Sequence, residues 1–347
     1  MAQKSFFARY WKLILNIITF LALAGLVYAI RDQLADTITN LRKVNGWVLW
    51  LIIPLEALGY HAQNKMYQRM FQIAGTDIKY KDLWKVSLEL NFVNHVFPSG
   101  GVSGISYFGL RMKMLGARGA QATLVQTMKL VLLFLSFEIM LFTGMFALAI
   151  HGKSSNLTIL IGTMIAMLVL AGTGIFAYVI GRKSRIDAFF TGVTKVLNRV
   201  IHVVRPKHPE TIKIDSAKEA FTDFHETYME LRSRWRELYA PFWWSLVINI
   251  TEVLVIYVVY IAFGDWVNIG AIILAYGVAN FAGLVSVLPG GVGVYEGLMT
   301  AVLVSAGIPA ALSLPVTVMY RILNTLLQIP PGYYLYNRAI RETKVTQ

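Results

Sequence analysis

Long apolar segments constrain this chain more than any other feature. Residues 11–30 form an apolar run of 20 residues that ends at Arg31, and a helix of that length rises about 30 Å, the thickness of a bilayer's hydrocarbon core. A cleaved signal peptide is the alternative, but its apolar stretch would be only about 7–15 residues long. We therefore predict a first transmembrane helix here. Further spans are predicted at 46–64, 120–150, 157–180, 241–263 and 308–336.

The composition agrees with a helical membrane protein. Hydrophobic residues make up 56% of the 347 residues and charged residues 15%, against roughly 45–50% and about 25% in soluble domains. The chain has no cysteine, which excludes disulfides and thiolate metal sites. We expect an all-α polytopic membrane protein with no metal and no cofactor. In the last predicted span, Pro315, Pro330 and Pro331 predict kinks or an early end.

Two apolar segments are interrupted by proline and paired glycines. The first covers residues 86–97 and is followed by the break Pro-Ser-Gly-Gly at 98–101; its twelve residues rise only about 18 Å. The second covers 269–288 and breaks at Pro-Gly-Gly-Val-Gly, residues 289–293. Each predicts a re-entrant element that turns back inside the membrane. Glycines that allow close helix packing are the alternative explanation.

The two breaks align when the paired glycines of one are set on those of the other, Gly100 and Gly101 on Gly290 and Gly291. This predicts a helical bundle of two inverted halves. Broken helices at matching positions of two halves indicate a substrate site near the bilayer midplane. The predicted organisation is a first half 1–181 with re-entrant segment 84–116, a linker 182–240, and a second half 241–347 with re-entrant segment 268–307.

Basic residues outnumber acidic residues by 32 to 19, which gives a formal charge of +13. In the predicted topology 26 of the 32 lie on the cytoplasmic side, as the positive-inside rule requires. We therefore expect both termini in the cytoplasm and the protein in the plasma or inner membrane. The linker 182–240 is basic and predicts an amphipathic helix on the inner leaflet. Anionic lipids, and not nucleic acids, are the expected partners of this charge.

Charged side chains inside a bilayer are costly and therefore mark candidate functional positions. Lys129 and Arg321 could hold the phosphate of a lipid headgroup, or Arg321 could pair internally with Glu296 or Glu252. Glu296 follows Gly293 by three residues. It could coordinate a cation, carry a proton or cap the helix that follows the second break.

Polar residues around the first break extend this candidate site. Asn91, Asn94 and His95 share one helix face, and they could bind a lipid phosphate or the unwound backbone of the break. Arg111 could bind phosphate at the inner surface or only extend to the interface. Glu138 and Glu252 are supporting candidates. Backbone amides at the breaks complete the predicted substrate site, at Pro98, Ser99, Gly100, Gly101, Pro289, Gly290, Gly291 and Gly293.

Enzyme signatures are mostly absent. The chain contains neither the H-E-x-x-H zinc motif nor the G-x-S-x-G hydrolase motif. No catalytic residue is therefore assigned. Two alternatives to a transporter stay open: a membrane-embedded transferase or hydrolase that uses Glu296 or His95 as general base, and a non-catalytic subunit that binds a lipid-modifying enzyme.

These motifs resemble a known family. The break at 98–101 followed by Arg111, the segment Leu-Pro-Gly-Gly-Val-Gly-Val-Tyr-Glu at 288–296, and the basic linker resemble the lysylphosphatidylglycerol synthase transmembrane region, a flippase-like family. The resemblance covers nearly the whole chain, and Glu296 matches the acidic position of the family. After the first break, where family members often carry a second glycine and an acidic residue, this chain has Ser-Gly-Ile-Ser at 103–106.

The resemblance implies movement of a lipid between leaflets. In the multiple peptide resistance factors this region is joined to a soluble aminoacyl-transferase domain and moves the aminoacylated lipid outward. We expect no soluble segment after Gln347, so the resemblance implies the translocating part without the transferase. The implied substrate is an anionic or aminoacylated phospholipid or a polyprenyl-phosphate-linked lipid. A lipid-modifying enzyme is the implied partner, and self-association is left open.

Overall fold

The computed structural model describes residues 44–97, 102–150, 156–182, 232–285 and 293–345, with residues 184, 185, 188, 228 and 229 from the linker. Within these ranges the chain forms helices and no strand, which confirms the all-α class. The predicted helix at 11–30, the breaks at 98–101 and 289–292, the two termini and most of the linker lie outside the described residues.

The first half contains α1 (Gly46–Leu49), α2 (Ile52–Ile73), α3 (Tyr80–Val96), α4 (Val102–Met114), α5 (Gly119–Ile150) and α6 (Asn156–Ile180). The second half begins with a 3-10 turn (Trp235–Leu238) and continues with α7 (Tyr239–Ala262), α8 (Ile269–Val285), α9 (Val294–Ser305) and α10 (Ala310–Val345). Three described stretches are long and apolar enough to cross a bilayer: Gly119–Ile150, Trp235–Ala262 and Ala310–Arg341.

A four-helix pattern occurs twice in the described residues. The helices α2 to α5 have 22, 17, 13 and 32 residues, and α7 to α10 have 24, 17, 12 and 36. In both sets each helix packs against the next, and the first also packs against the fourth. Positive-φ glycines after the first and third helices, Gly75 and Gly116, correspond to Gly264 and Gly307. This correspondence agrees to within one residue with the offset that aligns the two Pro-Gly breaks.

The equivalent helices α2 and α7 pack together in antiparallel directions. Just before α1, the Asn45 amide donates to the carbonyl of Ala262 at the end of α7, at 2.9 Å. At the other end of α7, Arg234 Nη1 donates to the carbonyl of Ile73, the last residue of α2, also at 2.9 Å. An inverted repeat requires this antiparallel packing, and the inverted repeat itself stays a prediction.

Each half contains a helical hairpin around its Pro-Gly break. α3 packs against α4, and α8 packs against α9. In the first hairpin Arg111 on α4 makes a bidentate pair with Glu89 on α3, with Nε–Oε2 at 2.7 Å and Nη2–Oε1 at 3.1 Å. Tyr107 also donates to Glu89, at 2.8 Å. The helices on either side of each break therefore pack against each other, and the re-entrant path in the bilayer stays a prediction.

The last helix departs from the sequence-based expectation. Three prolines predict kinks or an early end, but α10 continues from Ala310 to Val345. Just after Pro331, Gly332 lies so close to the Leu88 carbonyl and to Phe92 of α3 that a β-carbon would overlap both. Neighbouring helices can support a proline-containing helix in this way inside a membrane protein. The predicted early end is wrong.

Large apolar side chains cover the outer surfaces of α5 and α6. Ile139, Phe142 and Phe146 on α5 are at least half exposed, as are Met164 and Met167 on α6. Exposed apolar surface of this extent is unusual for a soluble monomer. It fits contact with lipid chains and leaves the polar residues to the interior of the bundle.

Candidate functional site

A cavity of about 400 Å³ lies where the two halves of the bundle meet. The described part of its wall comes from seven helices, α2, α3, α5 and α7 to α10. Leu133 and Ile248 are its apolar members; the others are charged, amide, hydroxyl or imidazole side chains. The amide groups belong to Gln63, Asn91, Asn94, Asn249, Asn280, Asn324 and Gln328. Polar groups that converge on a concave site inside an apolar bundle are characteristic of ligand binding.

Two cations reach this cavity from similar positions along their helices. Lys129 follows the start of α5 at Gly119 by ten residues, and Arg321 follows the start of α10 at Ala310 by eleven. At 1.5 Å per residue these positions lie roughly 15 Å from the helix starts. The two cations therefore lie at similar distances along α5 and α10, and a midplane position of the cavity stays a prediction.

Arg321 is bound to a carboxylate. Its Nη1 donates to Glu296 Oε1 at 2.7 Å, and the guanidinium lies 4.6 Å from the centroid of the Tyr295 ring. The other carboxylate oxygen of Glu296 accepts the amide of Gly293 at 2.7 Å, where φ is +84°. Glu296 therefore caps α9 and pairs with Arg321, which are two of the roles that the sequence left open for it.

Lys129 has a different environment. Its Nζ donates to Gln63 Oε1 at 3.2 Å and lies 5.2 Å from the centroid of the Tyr67 ring. No carboxylate among the described residues comes within 4.0 Å of it. A largely buried ammonium group without a negative partner is costly. The wall at Lys129 therefore favours an anionic ligand.

A carboxylate, Glu252, lines the main cavity, and it also lines a smaller space of about 30 Å³ together with Glu56. Its Oε2 accepts from the hydroxyl of Tyr320 at 3.1 Å, and Glu56 Oε2 accepts from Gln328 Nε2 at 3.3 Å. The cavity therefore presents an acidic group as well as cations.

A chain of side-chain hydrogen bonds connects the two halves. Asn91 on α3 donates to the Tyr60 hydroxyl on α2 at 2.7 Å and to Gln328 Oε1 on α10 at 3.2 Å. Gln328 donates to Asn324, whose amide donates to the Tyr320 hydroxyl at 3.5 Å. Tyr320 donates in turn to Glu252 on α7, so the chain of hydrogen bonds joins α2 and α3 of the first half to α7 and α10 of the second.

The cavity brings together six of the residues predicted from sequence: Asn91, Asn94, His95, Lys129, Glu252 and Arg321. Glu296 pairs with Arg321, and its other carboxylate oxygen accepts the amide of Gly293, so both residues lie next to the cavity wall at Arg321. Within the first hairpin, Asn94 packs tightly against Gly104. His95 Nδ1 is 2.8 Å from the carbonyl of Asn91 and, as the ring donor, holds the imidazole against its own helix.

Other predicted residues lie elsewhere. Arg111 is held by Glu89 within the first hairpin, with side chains only 11% and 2% exposed. Glu138 is 4% exposed on α5, and neither of its carboxylate oxygens has a hydrogen-bond partner among the described residues. Neither residue lines the cavity. Pro98, Ser99, Gly100, Gly101, Pro289, Gly290 and Gly291 lie outside the described residues.

Most of the uncharged residues of the wall were not predicted from the sequence. Charged residues in the predicted spans were the main candidates, whereas most of the cavity is formed by amides and by Tyr276, Tyr295 and Tyr320. A usable signal exists on α10, where Arg321, Thr325 and Gln328 follow the i, i+4, i+7 spacing of one helix face. Counting uncharged polar residues at this spacing in apolar helices would have identified the face.

Comparison with known proteins gives matches that cover the whole site. The family profile of the lysylphosphatidylglycerol synthase TM region matches residues 14–332. The UPF0104 membrane protein PH1989 of Pyrococcus horikoshii is 22% identical over 240 residues, which is 67% of this chain and 69% of that protein. A UPF0104 membrane protein of Methanothermobacter thermautotrophicus is 33% identical over 97 residues, 28% of this chain and 29% of that protein. The chain therefore belongs to the lysylphosphatidylglycerol synthase TM region family of multi-pass membrane proteins.

Proposed function

We propose that this protein moves lipids with an anionic headgroup between the two leaflets of a cell membrane. The observation that carries the proposal is Lys129, which lines a polar cavity without a carboxylate partner among the described residues. A lipid phosphate would supply the negative charge that this ammonium lacks. Membership of a family named for a lipid-modifying system supports a lipid as the ligand.

The remaining wall suggests how a headgroup would be held. Arg321 can contribute to phosphate binding if it exchanges Glu296 for the ligand, and its planar fork suits phosphate oxygens. Glu252 would accept the amine of an aminoacylated headgroup. The substrate class is therefore an anionic or aminoacylated phospholipid, or a polyprenyl-phosphate-linked lipid.

Access from both leaflets would come from rocking of one half against the other, as repeated membrane folds permit. The halves contact each other through α2 with α7, α3 with α10, and α5 with α8. Because no nucleotide-binding motif is present in the sequence, an ion gradient or simple equilibration would drive the movement. Both termini and the linker would face the cytoplasm, where their basic residues meet anionic lipid.

Reconstitution into liposomes tests this proposal. The vesicles would carry headgroup-labelled phosphatidylglycerol, aminoacylated phosphatidylglycerol, zwitterionic phosphatidylcholine or a polyprenyl phosphate, with and without an imposed proton gradient. We expect label from a phosphate-bearing anionic lipid to become accessible from the opposite leaflet faster than in protein-free vesicles. No movement of any lipid, in vesicles shown to contain folded protein, would refute the proposal. Release of the headgroup into solution would instead favour a hydrolase that uses His95.

A further inference from the structure

An apolar groove adjoins the polar cavity. It lies between α5 and α8 and encloses about 180 Å³. Its apolar wall consists of Leu130, Leu133, Phe134 and Phe137 on α5, with Gly277 on α8. The four α5 residues follow the i, i+3, i+4, i+7 spacing of one helix face, so the groove runs along the helix.

The groove and the cavity share part of their walls. Leu133, Asn249, Tyr276 and Asn280 line both spaces. Asn249 is held at this boundary by α5, since its Nδ2 donates to the Leu133 carbonyl at 2.9 Å and to Ser136 Oγ at 2.7 Å. The lining therefore changes from polar to apolar across these four residues, and each of the four contacts both spaces.

One end of the groove is open to the surface and the other is closed. Leu130 is 37% exposed, whereas Phe137 is 4% exposed. At the closed end, a β-carbon on Gly277 would come within 2.6 Å of the Phe137 ring, and the centroid of the Tyr276 ring lies 5.9 Å from that of Phe137. Leu130 to Phe137 are eight residues and span about 10 Å of α5. The opening at Leu130 lies on the groove side of the helix, whereas Ile139 lies on the opposite side.

We propose that this groove holds an acyl chain of the phospholipid whose headgroup occupies the cavity. The inference rests on the proposed function, because it assigns the second part of the same substrate. A lipid headgroup in the cavity stays attached to its acyl chains, so a headgroup cavity requires an apolar path beside it. Leu130 is exposed and lies within Gly119–Ile150, a helix long and apolar enough to cross a bilayer, which makes a phospholipid chain the occupant.

Two binding measurements on the purified full-length protein test the groove separately from the cavity. The ligands are phosphatidylglycerol in detergent micelles and glycerol phosphate, which carries the headgroup phosphate without chains. Phe134 lines the groove but not the cavity. Phe134→Trp narrows the groove, and we expect it to weaken phosphatidylglycerol binding by about tenfold or more while glycerol phosphate binding stays unchanged. Phe142→Trp, on the lipid-exposed face of the same helix, is the matched control and should change neither affinity.

A crosslinking measurement keeps the inference testable if Phe134→Trp fails to fold. A benzophenone side chain at Leu130 should crosslink to tagged phosphatidylglycerol, and excess untagged phosphatidylglycerol should reduce this crosslinking more than at Phe142. Unchanged phosphatidylglycerol binding in folded Phe134→Trp, or equal competition at both positions, would overturn the groove assignment. Crosslinking to a polyprenyl phosphate alone would overturn the acyl chain as occupant. Failure of glycerol phosphate to bind the unaltered protein would instead count against the proposed function.

Discussion

The ammonium of Lys129 and the guanidinium of Arg321 line one cavity from different halves of the fold, but only the guanidinium is bound to a carboxylate in the described part of the chain. Glu296 holds Arg321 and at the same time caps α9. Arg321 therefore has a structural role in this pair. Lys129 is the cation whose charge an anionic ligand would neutralise.

Replacing Lys129 with methionine should leave the free energy of unfolding unchanged or raise it by about 1 kcal/mol, because the substitution removes a buried charge but keeps the length of the side chain. Unfolding in detergent, followed by temperature or denaturant, measures this change. Lys85→Met is the matched control, since Lys85 is 50% exposed and pairs with Asp82 at the surface. A loss of several kcal/mol in Lys129→Met would mean that the lysine is needed for the fold.

Removing Arg321 should have the opposite effect on stability. Arg321→Met leaves Glu296 largely buried without its partner, and such a loss costs about 3–5 kcal/mol. Glu296→Gln combined with Arg321→Met should restore much of this stability, because the glutamine can still accept the Gly293 amide. A double variant that is as unstable as the sum of the single variants would show that the two side chains do not act as a pair.

The bidentate pair in the first hairpin should depend on the guanidinium. Arg111→Lys keeps the charge but loses one of the two hydrogen bonds to Glu89, so we expect the free energy of unfolding to fall by about 1–3 kcal/mol. Lipid selectivity in liposomes should not change. Arg69→Lys, which alters an exposed hydrogen bond to Gln72, serves as the control and should have little effect. Altered selectivity with unaltered stability would favour phosphate binding by Arg111.

Close packing at Gly332 should make α10 sensitive to a single methyl group. Gly332→Ala would overlap the Leu88 carbonyl and Phe92, and we expect a destabilisation of about 1–3 kcal/mol. Gly172→Ala has open space around it and should be neutral or stabilising by about 0.5–1 kcal/mol, the usual gain from alanine in a helix. Equal effects of the two substitutions in thermal unfolding would contradict the tight contact between α3 and α10.

Local patterns in the sequence were sufficient to predict most helices. The apolar runs at 120–150, 157–180 and 241–263 agree closely with α5, α6 and α7. The run at 46–64 covers α1 and the first part of α2. α2 continues to Ile73 because Met66, Tyr67 and Phe71 are buried by protein, so its length does not depend on the apolar run alone. The last helix does not end early as predicted, because α3 packs against it just after Pro331. The two helices are more than 200 residues apart in the chain, so the local sequence does not indicate this contact.

The candidate site was predictable only in part, for the same physical reason. Intramembrane charges are rare and stand out in a sequence, so Lys129 and Arg321 were identified without a structure. Partners are set by helix packing: Asn91 and Gln328 are 237 residues apart, and no local pattern relates them. Amides and tyrosines become site residues only when seven helices place them around one space.

The rate at which phosphatidylglycerol crosses the bilayer in liposomes that contain Lys129→Met tests the role of this cavity most directly. We predict that the rate falls to that of protein-free vesicles, that Lys129→Arg retains part of the activity because it keeps the positive charge, and that Lys85→Met moves lipid as the unaltered protein does. Undiminished movement in folded Lys129→Met would contradict the assignment of Lys129 and its cavity to the lipid headgroup.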